Sequence, residues 1–156
     1  MALQRFCKRP IVTVTPEKTI LEACRLLEER NIGCLLVEEH RKLCGILTDR
    51  DIALRVTGQG KDPQQTTVWD VMTPNPVRIR ADHTLHELTM LMHQEHVRRV
   101  PILDGSGNVI GIVTLDDLLA LLRDEMSDMA KTVAQSFLRQ SLTAKPEAYH
   151  WWAAHA

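Results

Sequence analysis

Two short segments of the chain are near copies of each other, and this constrains the fold more than any other feature. Residues 45–52 read GILTDRDI and residues 111–118 read GIVTLDDL. Each is an apolar run of strand character. Each continues with Thr, two variable residues, and Asp at the head of a helix-like run. A chain that duplicates such a junction is expected to fold as two copies of one unit. A polar strand-to-helix junction repeated inside an apolar frame also points to a repeated small-molecule site.

The duplication extends outward from these segments. Thr19-Ile20-Leu21-Glu22 matches Thr84-Leu85-His86-Glu87, an offset of 84 − 19 = 65. Both are T-x-x-E capping boxes, in which Thr accepts from a first-turn amide and Glu reaches back to the cap amide. Upstream, Val12 and Val14 match Val77 and Ile79 and suggest short strands. Downstream, Ile20, Ala23, Cys24 and Leu27 mark one helix face, and Leu85, Leu88, Leu91 and Met92 the other. Strand candidates follow at residues 34–37 and 99–103, then turns at 38–42 and 104–108. The second copy has one more residue between its strand start and its glycine, so the offset becomes 111 − 45 = 66 at the glycines. Residues 58–63 read as a loop. Residues 68–72 read as a helical turn that Pro74 and Pro76 bring to an end. Each copy therefore predicts strand, helix, strand, turn, strand, helix. About 60 residues bury too little surface to be comfortable alone, so the copies are expected to pack face to face.

Composition narrows the function. With 19 basic and 20 acidic residues among 156, no broad positive field invites nucleic acid. No apolar run is long enough to span a bilayer, and residues 1–10 hold Arg5, Lys8 and Arg9 with no apolar stretch behind them. A cytoplasmic protein is expected. Cys7, Cys24, Cys34 and Cys44 form no CxxC pair and read as reduced apolar residues; zinc is the alternative, with little support from the spacing. His83 with His86, and His93 with His96, have chelating separations. The two pairs lie about two turns or more apart, too far for one ion, and solvent-facing histidines are expected. No P-loop, nucleophile elbow or HExxH is present, so no enzyme is expected.

On these residues the chain resembles a tandem pair of cystathionine-β-synthase (CBS) domains, a Bateman module of the standalone bacterial type. The two G-h-h-T-x-x-D segments and the T-h-x-E helix starts carry the likeness. So do Asp70-Val71-Met72-Thr73-Pro74-Asn75-Pro76 and His96-Val97-Arg98-Arg99-Val100-Pro101-Ile102. The likeness covers about residues 8–122. It implies an α/β (α+β) fold of two β-α-β-β-α repeats, at 8–65 and 66–122, related by a pseudo-two-fold axis, with a C-terminal extension at 123–156. It also implies clefts between the repeats for an adenosine-containing ligand (AMP, ADP, ATP, S-adenosylmethionine or NAD), no required cofactor, and a regulatory homodimer.

By this resemblance Asp51 and Asp117 hold the ribose hydroxyls, and Thr48 and Thr114 bond the ribose or an α-phosphate. A carboxylate suits vicinal hydroxyls because it can accept from both. Ile11, Cys34 and Leu36 would line one adenine slot, Pro76 and Val100 the other. Arg98 and Arg99 would meet phosphates, and Gly33 and Cys34 stand in their place in the first repeat, which implies unequal clefts. Each reading has a plain structural counterpart. Asp at such a junction serves as a helix cap without any ligand, and an arginine pair serves as ion-paired surface. A structural or interaction module with empty clefts, or a nucleic-acid-binding protein, are the alternatives.

Beyond Leu118 the positions Leu122, Met126, Met129, Val133 and Phe137 recur at steps of four, three, four and four. They predict a long amphipathic helix, ended by Lys145-Pro146, that packs on its own module or completes a dimer or partner contact. Tyr149, His150, Trp151 and Trp152 concentrate aromatic surface in the tail, in an interface or as a frayed end.

Overall fold

The computed structural model describes Leu3 and residues 11–143, with side chains of the last helix to residue 139. Cys7, Lys145-Pro146 and the Tyr149–Trp152 aromatic cluster lie outside the described residues. The chain divides into two compact units, residues 1–117 and residues 118–156.

The first unit holds the duplication. One copy runs β1 (Thr13–Val14), α1 (Ile20–Arg30), β2 (Cys34–Glu39), β3 (Lys42–Thr48), α2 (Asp49–Arg55) and β4 (Thr73–Pro74). The other runs β5 (Ile79–Arg80), α3 (Leu85–Gln94), β6 (Arg99–Leu103) and β7 (Val109–Thr114), and leads into α4 (Leu115–Thr143). The sheets repeat one topology. β1 lies parallel to β2 and β5 parallel to β6, while β2–β3 and β6–β7 are antiparallel hairpins. Even the irregularity is copied: the register slips between Val37 and Glu38, and between Ile102 and Leu103, at the same offset of 65. The mixed α+β architecture expected from the sequence is the one observed.

Local chemistry accounts for the helix limits. Thr19 caps α1 and Thr84 caps α3, each in a complete box with Glu22 or Glu87. Both helices close in the same way, with a left-handed residue after the last turn, Asn31 (φ 49°) or His96 (φ 54°). The following amide, of Ile32 or Val97, donates back to Leu27 or Met92. Ile20, Ala23 and Leu27 of α1 are buried against Leu35, Val37 and Leu47. Leu88 and Met92 do the same work in α3.

Three features differ from the sequence reading. The first turn is not residues 38–42: the strands run on to Glu39 and from Lys42, and His40 (φ 50°) and Arg41 (φ 64°) make a two-residue connection. Residues 68–72 do form a single turn, in which Val71 and Met72 donate to the Val68 carbonyl. They pack into the core of the first repeat, however, with Val68, Val71 and Met72 beside Leu35 and Leu47. The chain then adds β4 to the edge of β3. Conversely, Leu3 is fully buried and its amide donates to Ala81 of the second repeat, as the Trp69 amide donates to Pro16 of the first. Thus each repeat takes in the segment that precedes the other's first strand.

The described residues of the second unit, 118–143, continue α4. Among the described residues no helix is long and apolar enough to cross a membrane.

Candidate functional site

Both Thr/Asp junctions have one geometry. The hydroxyl of Thr48 donates to Asp51 Oδ2 at 2.6 Å, the Thr48 amide donates to the same oxygen at 3.0 Å, and the Asp51 amide donates to Thr48 Oγ1 at 3.2 Å. Thr114 and Asp117 repeat these bonds at 2.6, 3.0 and 3.2 Å. The helices begin two residues earlier than the sequence suggested, at Asp49 and Leu115. Thr48 is therefore the cap of α2, and Asp51 is its third residue, closing the box. Thr67 and Asp70 form one more such box, at 2.6 and 3.0 Å, which the sequence reading passed over. The signal was present in Thr67-Val68-Trp69-Asp70.

This geometry restricts what the threonines can offer a ligand. A hydroxyl has one proton and two lone pairs. In each box the proton goes to the Asp carboxylate and one lone pair accepts the Asp amide. What remains is an acceptor, suited to a ribose hydroxyl. A phosphate oxygen needs a donor, so the threonines could serve one only by breaking the box.

A cavity of about 270 Å³ gathers residues from both repeats. Ile11, Cys34 and Leu36, the expected adenine slot, line it together with Gly33 of the first repeat. From the second repeat come Arg99, Ile112, Thr114 and Asp116. The slot of one repeat is thus completed by the junction of the other. Asp117 does not itself line the cavity but is held against Thr114, which does. At Gly33 a Cβ would stand 3.2 Å from Asp49 Oδ2, a tight approach, and 3.4 Å from Arg99 Nη2, an ordinary contact, so the Arg99 guanidinium lies close against this backbone.

Thr48, Asp51, Arg98 and Pro76 do not line this cavity. Asp51 turns its other oxygen to Arg55, 3.2 Å away, and its side chain is 14% exposed. Pro76 is buried. Arg98 is exposed and lies 3.5 Å from Asp116. Val100, expected with Pro76 in the other slot, does not line this cavity either. It is fully buried and pairs with Val113, whereas Pro101 pairs with the cavity-lining Ile112. Cross-strand partners share a face and neighbours alternate, so Pro101, like Arg99, lies on the cavity side of β6. Sequence reading also passed over Asp116. At an offset of 116 − 50 = 66 its counterpart is Arg50, so the two junctions carry opposite charge at this position.

Cys24, Cys34 and Cys44 are half-buried and not joined by disulfides, and burial pushes the thiols of Cys24 and Cys44 up. His83 meets Glu87 at 3.3 Å and His93 packs edge-on to His96. Among the described residues no group of three or more His, Cys, Asp or Glu could hold a metal.

Comparison with known proteins agrees with this architecture. The family model described as CBS domain matches twice, at residues 3–58 and 68–124. The CBS domain-containing protein YhcV of Bacillus subtilis is 45% identical over 108 residues, 69% of this chain and 76% of YhcV. Protein MK0525 of Methanopyrus kandleri is 34% identical over 76% of this chain, which spans 61% of that protein's length. The solved CBS domain pair of protein MJ0100, in complex with 5′-methylthioadenosine and S-adenosyl-L-methionine, superposes with a TM-score of 0.71. It is 29% identical, covering 80% of this chain and 98% of that one.

Proposed function

We propose, since the chain belongs to the CBS domain family, that its regulatory module senses an adenosine-containing ligand held between the two repeats. The observation that carries this reading is the cavity itself. Ile11, Cys34 and Leu36 supply an apolar wall for a purine, and Thr114 stands opposite on the other repeat. Asp117, beside it, accepts the ribose hydroxyls. A carboxylate offers about four lone-pair sites, so capping does not by itself exclude ribose binding. The MJ0100 domain pair, 29% identical, was solved in complex with 5′-methylthioadenosine and S-adenosyl-L-methionine, which supports the ligand class.

The volume of about 270 Å³ lies just below the usual range of ligand pockets, about 300–1,000 Å³. It favours a nucleoside or mononucleotide over NAD. Arg99 is the cation in the cavity wall. Phosphate is read by Arg99, with Arg98 nearby, and not by the threonines, whose protons are spent. Thr48, Asp51 and Pro76 belong to the counterpart cleft, where Arg50 replaces Asp116. Ligand occupancy acts by shifting an equilibrium between two arrangements of the module, and so changes how a second copy or a partner protein engages it. The reading assigns no catalytic residue.

A purely structural role has one specific observation in its favour, at the first repeat. Both Asp51 oxygens are engaged, one by the box and one by Arg55.

Isothermal titration calorimetry of the purified chain against AMP, ADP, ATP, S-adenosylmethionine, 5′-methylthioadenosine and NAD tests the reading. At least one should bind. Asp117→Asn should weaken that binding tenfold or more while leaving the thermal midpoint of the free protein within about 3 °C, because Asn still accepts the capping bonds. If none of the six binds, the reading is wrong.

A further inference from the structure

Ten large apolar side chains are exposed among the described residues, and seven of them lie on α4 between Leu119 and Leu138. Leu119, Leu122, Met126, Met129 and Val133 follow one another at steps of three, four, three and four, the spacing of a coiled-coil seam. Their exposures run from 54% to 68%. Scattered apolar residues are ordinary on a surface, but an unbroken stripe of this kind marks a contact.

Charge along the same helix tells what contact it is. Residues 118–128 carry Asp124, Glu125 and Asp128 against Arg123. Residues 129–143 carry Lys131 and Arg139 and no acid. Two pairs, Arg123 with Asp124 and Lys131 with Asp128, close within the helix. Both are exposed and hence weak. The helix therefore has an acidic half and a basic half. Two such helices side by side in parallel would set acid beside acid, base beside base, and like ends of the macrodipoles together. Antiparallel, each acidic half lies along a basic half.

We propose that this face is covered by the same helix of a second copy, running antiparallel. The seam is compatible with a two-fold axis between Ser127 and Asp128. Met126 then meets the Met129 position of the other copy, Leu122 meets Val133, and Leu119 meets Ser136. The seam supplies the affinity, and the charge halves select the orientation. The inference does not depend on occupancy of the cleft and stands even if no adenosine ligand binds.

Engineered cysteines in the full chain discriminate the arrangements. Leu119→Cys and Ser136→Cys variants are mixed and oxidised, with the unmodified protein as background for the native cysteines. The expected product is a crosslink between positions 119 and 136, identified by peptide mass spectrometry, with no 136–136 product. In the antiparallel pair two residues 136 lie about 26 Å apart, seventeen residues at about 1.5 Å each; in a parallel pair the helix axes are only about 10 Å apart. A 136–136 crosslink would overturn the orientation. No crosslink of either kind would overturn the pairing, whether the stripe is covered by the chain's own first unit or by another protein. As an independent measurement, Met129→Glu should raise the dimer dissociation constant at least tenfold in sedimentation, with helicity by circular dichroism unchanged. A dimer that survives this substitution undiminished also defeats the proposal.

Discussion

Gly45 opens the first of the twin segments, and replacing it with alanine should destabilise the protein through a single neighbour. Gly45 is buried in β3, paired with Val37 on one side and Pro74 on the other. A Cβ built there runs into Met72 Sδ, with Met72 Cγ 3.1 Å and Cε 3.3 Å away. Met72 is 5% exposed and packed in the first core, so it cannot swing into solvent without opening a void. Overpacking of this kind costs about 1–3 kcal/mol. Against it stands about 0.5–1 kcal/mol recovered by removing a glycine from a strand. The net loss expected for Gly45→Ala is about 1–2 kcal/mol, or about 2–8 °C in thermal midpoint for a chain of this size. The decisive assay is a double-mutant cycle by urea unfolding. Met72→Ala alone should cost about 2–5 kcal/mol by leaving a cavity. With Gly45→Ala added, the loss should fall short of the sum by at least about 0.5 kcal/mol, because the new methyl enters the space Met72 left. Additivity within about 0.3 kcal/mol, or a stabilising Gly45→Ala, would refute the steric account of this glycine.

Two further outcomes follow from the caps. Asp51→Ala removes the box at the head of α2, about 1 kcal/mol, and an i,i+4 pair with Arg55, about 0.3–0.5 kcal/mol. A urea midpoint unchanged from the parent would show that the box carries no weight there. Glu22 gives a pH signature. The Lys18 ammonium, then the Thr19 amide and hydroxyl, hold its carboxyl at about 2, below the ordinary 4.5. A depressed folded-state value means stability that is present above pH 4.5 and is lost as pH falls toward about 2. The stability gap between the parent and Glu22→Gln should therefore close across that window, and an NMR titration of Glu22 with a midpoint at 4.5 or above would sink the assignment.

How much the sequence disclosed depended on whether the signal was local. The boxes at Thr19–Glu22 and Thr84–Glu87 are satisfied within four residues, and α1 and α3 begin where those residues say. The strands 34–37 and 99–103 were legible as apolar runs, the second to its exact ends and the first short of Glu39. The hairpin at His40 and Arg41 was not legible in detail, because neither residue is a usual carrier of positive φ. β4 was invisible for another reason: two residues, one of them Pro74, become a strand only by lying against β3. In the cleft, residue types were readable and their grouping was not. That the cavity of Ile11, Cys34 and Leu36 is completed by Thr114 of the other repeat is a fact of tertiary packing. Val100 pairs with Val113 while its neighbour Pro101 pairs with the cavity-lining Ile112, and in a strand one residue exchanges the two faces.

The interchange of lead-in segments means that the duplicated unit of sequence and the folded unit are out of phase. A fragment cut at the apparent boundary, residues 11–65, would lack Val68, Val71 and Met72 from its own core. The remainder would present those side chains with nothing to bury them. Neither half is therefore a candidate for autonomous folding, although each is a complete copy by alignment. A nick in the exposed loop at residues 58–63 should leave the two pieces bound to each other, since each still holds part of the other's interior. What looks like a string of two beads is closer to a clasp.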